Sequence, residues 1–382
     1  VTTSSDWTTF LIQTTTGRIG PQIDVDGTTW GIPLNGIESL STLVKKNSLP
    51  KNLDLNYWLS PWWAGILLMW RNVPVFAGPI VSRPLEDFNN IKLDCSGIRI
   101  LFTDRFVTQE FRDWSGLAKS ELFYSDMSLG TIAKRAVQAS MNKAGGSLPI
   151  SFPVPDQFGY GDDADHQRTF EGFNIANLNC DKLLTDLSKV ARGPDIMFKP
   201  RLLDSSRLMW DFWTGTEGQP RIAQNNLLVW DTDAATGQVA DLSVVSTGSY
   251  MTNRVFSTGA GTDQGTVITV SENPAPLLQG YPLLESTISI SQSPNPDVVK
   301  AHGDGVLEAN TDMLREITLT VHTNGVYKFG SYWSGDAMDV FTKDWLTFKD
   351  GRHRCRLLHM SGDLSTASSI KLNLQPENYN GS

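Results

Sequence analysis

Cysteine is nearly absent from this 382-residue chain: only Cys95, Cys180 and Cys355, odd in number and widely spaced. Their spacing excludes a CxxC zinc or redox pair and argues against a disulfide framework. Three buried, reduced thiols made in a cytoplasm are expected instead. Positive charge is also in deficit, with 32 Lys and Arg against 41 Asp and Glu and a net charge of −9. The longest basic run is Arg352-His353-Arg354. A surface that clamps nucleic acid needs clustered cations, so that class is disfavoured. Long hydrophobic runs are missing too. Trp62–Trp70, the longest, is about half of a bilayer span. The start, VTTSSDW, has neither the basic region nor the apolar core of a signal peptide. A soluble protein is expected, intracellular or released by a route other than secretion.

Catalytic signatures are equally scarce. There is no GxxxxGK[ST] and no GxSxG elbow. Gly259-Ala260-Gly261-Thr262-Asp263-Gln264-Gly265 resembles a dinucleotide loop, but its spacing is GxGxxxG and Thr266–Val270 reads as a strand. A phosphate cradle needs a helix N-terminus there, so a hairpin or bulge is expected. Asp162, Asp163, Asp165 and His166 could hold a hard cation. They lack the glycine and distal glutamate of a calcium loop, so a solvated acidic loop is expected. The five histidines never fall at HxH or HxxxH spacing, and His353 and His359 would lie about 20 Å apart on one extended strand. No carboxylate pair stands out for glycoside cleavage. No catalytic, metal-binding or cofactor-binding residue is therefore assigned.

What the chain has is alternation and tryptophan. The hydrophobic fraction of 40% and charged fraction of 19% are those of a folded globular protein, and the length suits two to four domains. Gly65–Phe106 reads as consecutive short strands: apolar Ile66–Trp70, a turn at Arg71-Asn72, Val75–Val81, a polar turn over Pro84–Asn90, then Ile91–Ser96. In the last, Ile91, Leu93 and Cys95 share one face. Such a meander has one wet and one dry side and must pack on a layer or close on itself. Of the twelve tryptophans, Trp62, Trp63, Trp70, Trp210, Trp213 and Trp230 fall in or beside predicted strands, where they would fill a barrel or an interface. Trp70-Arg71 could stack on bases, but at this net charge a packed interface is expected.

In chain order, Thr8–Gln13 and Gln22–Trp30 are expected as strands, with Asp26-Gly27 as a tight turn. A short helix is expected through Ile37, Leu40 and Val44, ended by Lys45-Lys46-Asn47. Residues 1–110 thus read as one domain. Residues 111–226 read as an inserted α+β domain. It has a helix after Asp126-Met127-Ser128 ended by Gly145-Gly146, and a helix from Asn179 to Gly193-Pro194. A hairpin follows, Asp195–Arg201 with Arg207–Trp213. From Leu227 the strands return, interrupted by a helix between Asp297 and Met313 that Gly303 and Gly305 weaken. Residues 227–376 read as the second β domain and 377–382 as a polar tail. Each β region would carry several strands and one lateral helix.

Certain residues carry a resemblance. Trp70-Arg71-Asn72-Val73-Pro74-Val75-Phe76-Ala77-Gly78-Pro79-Ile80, Leu93-Asp94-Cys95-Ser96-Gly97 and Thr103-Asp104-Arg105 stand in one order. Gly193-Pro194-Asp195, Val255–Gly261, Gly280-Tyr281-Pro282-Leu283-Leu284-Glu285, Gly335-Asp336 and Arg354–Gly362 continue it. Together they resemble the tail-tip hub proteins of long-tailed bacteriophages, a family that includes the baseplate hubs of contractile tails and the hub part of type VI spikes. More narrowly, they are similar to minor tail proteins of siphophages of actinobacteria. The resemblance implies a mainly β fold with two tail-tube-like antiparallel barrels, each with a lateral helix, and an inserted α+β domain. It implies a homotrimer whose six barrels form a pseudo-sixfold ring in the virion tail tip, assembled in the host cytoplasm. The ring would join a distal tail protein or tube ring above to tip, fibre or other minor tail proteins below. Its lumen would hold the tape-measure protein and pass genome DNA in transit. No cofactor and no enzyme activity are implied, and no lytic domain is expected beyond the second barrel. A tail-associated cell-wall-degrading enzyme and a receptor-binding tail protein using exposed tryptophans are the alternatives.

Overall fold

The computed structural model describes residues 6–113, 115–158, 166–190, 193–215, 222, 228–233, 239–290, 293–346, 348–366 and 368–376. The first region holds β1 (Trp7–Gln13), β2 (Ile19–Ile23), β3 (Val25–Pro33), β4 (Ser39–Lys45), the one-turn α1 (Leu55–Trp58), β5 (Ala64–Trp70), β6 (Val73–Glu86) and β7 (Asn90–Ser96). The middle region holds β8 (Glu121–Met127), α2 (Leu129–Met141), β9 (Ile150–Ser151), β10 (His166–Glu171), α3 (Cys180–Ser188), β11 (Asp195–Leu202) and β12 (Leu208–Gly215). The last begins with β13 (Leu228–Asp231), β14 (Val239–Thr247), β15 (Arg254–Thr258), β16 (Ile268–Glu272), α4 (Ala275–Leu278) and β17 (Glu285–Ser289). It ends with α5 (Pro296–Asn310), β18 (Leu314–His322), β19 (Ala337–Thr342), β20 (Gly351–Asp363) and β21 (Ser369–Pro376).

One large sheet joins the two ends of the chain. Its order is β14-β18-β21-β20-β3-β4-β7-β6-β5-β1-β2, with β19 also on β20 and β13 parallel to β19. The joint is the antiparallel pair β3–β20, in register from Thr29 opposite Asp363 to Pro33 opposite His359. Strands of the first and last regions are therefore hydrogen-bonded neighbours. Among the described residues no pairing joins β2 to β14, so both are ends of the sheet. The mainly β character is as expected from the alternation.

β6 is the corner of this sheet. Its first half pairs with β5 (Gly65 opposite Pro79, Ile66 opposite Gly78), and its second half pairs with β7 (Ile80 opposite Cys95, Ser82 opposite Asp94). Register shifts fall between Ile80 and Ser82 and again before Leu85, bulges that bend a long strand from one surface to another. Gly78 is required at the bend: a Cβ there would lie 1.9 Å from the carbonyl oxygen of Ser96. The dry face of the meander is fully buried, with Ile66, Leu68, Ile80 and Leu93 at 0% exposure. Tryptophans fill the space behind it. Trp7, Trp30 and Trp70 surround Phe329 at ring-centroid distances of 5.7–6.0 Å.

Three expectations for the β regions need correction. The helix through Ile37, Leu40 and Val44 is strand β4. Leu40, Thr42 and Val44 are buried in alternation, and the Thr42 and Thr28 hydroxyls bond at 2.5 Å. That polar pair in the core disguised a period of two as a period of four. Asp26-Gly27 makes no hairpin turn. It is a bulge within β3, with Gly27 at φ +54° and a register shift before Thr29, and the expected single strand Gln22–Trp30 divides into β2 and β3. The lateral helices also differ from the expected pattern. The first region has only short helical turns, and α5 packs on a separate sheet of order β16-β15-β17. Gly303 makes that approach possible, since a Cβ there would meet Ser257 Oγ at 2.3 Å.

The middle region folds largely as its pattern dictates. Ser128 and Asn179 cap α2 and α3, their side chains accepting the Thr131 and Lys182 amides at 3.0 and 2.9 Å. The buried stripes of both helices pack on Ile196, Phe198, Trp210 and Phe212 of the β11–β12 hairpin. Polar contacts then fix this unit to both β regions. Trp210 Nε1 donates to Ala77 O of β6 at 3.1 Å. Arg99, 2% exposed, donates to Asp181, Thr185 and the Asn35 carbonyl. Asp195 accepts from Asn35 Nδ2 at 2.8 Å and pairs with Arg356 of β20.

Candidate functional site

Among the described residues, the chemistry-bearing residues singled out in the sequence do not converge. Gly259–Gly265 is a loop between β15 and β16 with a single 3-10 turn at Asp263–Gly265, and Ile268–Glu272 is a strand. Of the acidic run, Asp162, Asp163 and Asp165 lie outside the described residues, and His166 opens β10. Among the described residues no three His, Cys, Asp or Glu side chains approach as metal ligands. Cys95, Cys180 and Cys355 are reduced and buried, and burial raises the Cys95 and Cys180 thiols, the latter to about 12. Buried thiols of this kind are inert. Trp70 is buried under Arg71, whose guanidinium lies 4.4 Å above its ring and is tied to Asp6. Trp210 and Trp230 are fully buried, and Trp62 is 42% exposed at φ +65°.

Two features of the surface can act. The first is a set of open edges and faces in the last region. β14 ends the large sheet, and β16 and β17 are the edges of the three-stranded sheet. α5 covers one face of that sheet, over Val255, Ser257 and Ser271. Among the described residues the other face is uncovered. It carries Ile268 and Val270 beside Phe256, and Arg254 between Glu272 and Glu285 at 2.5 and 2.8 Å. Leu278 is 88% exposed and Tyr250 67%. Open strand edges beside apolar side chains are sites where another chain can pair or pack.

The second is a cleft of about 600 Å³ where the three regions meet. Its floor is the face of the β11–β12 hairpin opposite the helices. There Met197 stands across from Trp213 and Lys199 across from Asp211. The walls are the β5–β6 turn, Asn72–Pro74, and the loop Trp333–Asp336. Asp211 accepts from Arg201 Nε and Nη2 at 2.8 and 3.1 Å and from Ser151 Oγ. Lys199 Nζ lies 4.5 Å over the Trp333 ring, and burial lowers its pKa. No carboxylate lies within ion-pair distance of Lys199 among the described residues. Sequence reasoning missed this cleft. Its one signal was the Lys-Pro-Arg run of residues 199–201 on a strand whose other face is apolar.

No protein-family model matches the chain, and no curated protein matches it. Solved structures do. A tail protein of Neisseria meningitidis superposes with a TM-score of 0.55 at 13% identity, covering 97% of both chains. The 43 kDa tail protein of prophage MuSo2 from Shewanella oneidensis gives 0.55 at 12% identity, covering 97% of this chain and 98% of that one. Prophage tail protein gp18 from Listeria monocytogenes gives 0.52 at 10% identity, covering 99% and 96%. The fold is shared with prophage tail proteins. The likeness runs end to end, so it includes the middle region and the three-stranded sheet along with the large sheet.

Proposed function

We propose that the chain is a structural protein of a phage-type tail, a hub at the tail tip with no enzymatic role. What carries this reading is the end-to-end likeness to three tail proteins, each covered over at least 96% of its length. The surface supports it. The open face of the β16-β15-β17 sheet and the end strand β14 are places for neighbouring copies to complete. In this proposal three chains associate, and the strands of residues 1–110 and 227–376 form six tube-like units around a channel. The ring continues a hexameric tube above and passes to a threefold tip below, with tape-measure protein and then DNA in its lumen. The net charge of −9 suits such a channel, because carboxylates facing the lumen repel phosphate and let DNA slide. A narrower assignment to siphophages of actinobacteria rests on the sequence motifs alone.

Light scattering on the purified chain tests the association. A mass three times that of the chain, at micromolar concentration, is expected. A stable monomer that degrades cell wall would overturn the reading in favour of a tail enzyme.

A further inference from the structure

The cleft between the three regions contains a lysine that has no carboxylate within ion-pair distance among the described residues. Lys199 is half-buried on β11, and its ammonium has one side against the Trp333 ring at 4.5 Å. The carboxylate across the strand pair, Asp211, is already engaged by Arg201 and by Ser151 Oγ. Asp336 and Asp211 act on this ammonium through space without touching it, and a carboxylate in direct contact would add a charge-assisted bond. The rest of the lining is mainly apolar: Val73, Pro74, Met197, Trp213 and Ile222. Two of its other polar groups are spent internally. Ser334 Oγ donates to Ile32 O at 2.6 Å, and Asp336 accepts the Trp333 amide at 2.7 Å. A saccharide needs many directional partners for its hydroxyls, and this lining offers few. A carboxylate flanked by apolar groups needs one cation and apolar walls, which the cleft supplies. The volume of about 600 Å³ accommodates such a side chain with a neighbour.

We infer that this cleft docks an acidic segment of a partner protein, with a Glu or Asp side chain on Lys199 and an adjoining apolar residue beside Trp213 and Pro74. The inference does not depend on the tail assignment, because it stands on the cleft alone. Docking there would bridge the β5–β6 turn, the inserted hairpin and the Trp333–Asp336 loop.

Isothermal titration of the full chain with acetyl-Leu-Glu-Leu-amide and acetyl-Leu-Gln-Leu-amide tests it. The glutamate peptide is expected to bind at least about tenfold more tightly, a difference of roughly 1.4 kcal/mol. Lys199→Met should bring it down to the glutamine peptide's level, whereas Lys182→Met, on the exposed side of α3, should change nothing. The peptide pair on the unaltered chain keeps the test valid if Lys199→Met fails to fold. Equal binding of the two peptides, no binding of the glutamate peptide at millimolar concentration, or full binding by folded Lys199→Met would overturn the inference. So would binding of N-acetylglucosamine, a neutral sugar, with neither peptide bound, since the cleft would then take a saccharide.

Discussion

The large sheet and the small β16-β15-β17 sheet solve the same problem differently. In the large sheet, both halves of the chain contribute strands, and Ile66, Leu93, Leu319 and Leu372 are sealed from water. Among the described residues the small sheet is covered by α5 on one face, and Ile268 and Val270 are exposed on the other. The first buries its apolar face within one chain and leaves only its end strands β2 and β14 unpaired among the described residues. The second has an unused face, so its apolar residues contribute little to this chain's own stability and are free to serve an interface. Substitutions on the two sheets should therefore fail in different ways.

The largest effect is expected at Leu93. An aspartate there would be a buried, unpaired charge, and Leu93→Asp should cost more than about 4 kcal/mol and abolish soluble folded protein. Circular dichroism and yield check it. Second, the turn into β4 has a flaw at Glu38, 8% exposed, whose Oε2 has no hydrogen-bond partner among the described residues. Burial raises its carboxyl to about 7 from 4.5, opposed by a hydrogen bond from its own backbone and then by the Arg99 charge. The folded state thus favours the protonated acid, and stability present below pH 4.5 is lost as pH rises through about 7. The loss is roughly 3 kcal/mol. Glu38→Gln should remove it, so the variant should gain on the parent at pH 8 and match it near pH 4.5 in denaturant melts.

The small sheet's packing carries the opposite dependence. His302 on α5 is 7% exposed, and burial lowers its pKa from 6.5 to about 4, helped by Arg168 and Lys189. The neutral ring is favoured on folding, so stability present above pH 6.5 is lost as pH falls through about 4. Hydrogen exchange over β15 and β16 should quicken there while β7 stays protected. Gly303→Ala should cost about 1–3 kcal/mol, because its Cβ would meet Ser257 Oγ at 2.3 Å. The smallest effect is at Val270, 42% exposed: Val270→Asp should change stability by less than about 0.5 kcal/mol yet weaken association. If it unfolds the chain instead, the open face belongs to the chain's own core and the contrast between the sheets fails.

What the sequence made legible is what local pattern controls. α2 and α3 stand after Ser128 and Asn179, and the β11–β12 hairpin turns at Asp204–Ser206, because caps, stripes and turn residues act within a few positions. β4 was hidden because its core face contains Thr42, whose partner Thr28 lies fourteen residues away. The β3–β20 joint was illegible for a related reason. Nothing local in Thr29–Pro33 specifies a partner more than three hundred residues later. The cleft is the extreme case, since its lining comes from all three regions. The overall likeness was readable only as an order of weak motifs. Gly78 shows why one such motif exists: a strand that changes partners at a bend leaves no room for a side chain.

The central claim is that this chain is a threefold hub in a tail, and a density map of isolated tails containing it tests that claim most directly. Three copies at the distal end of the tube are predicted, with the open face of β15, β16 and β17 covered by a neighbouring copy. A map in which the chain is absent from the tail, or present as a single copy with that face in solvent, would contradict it.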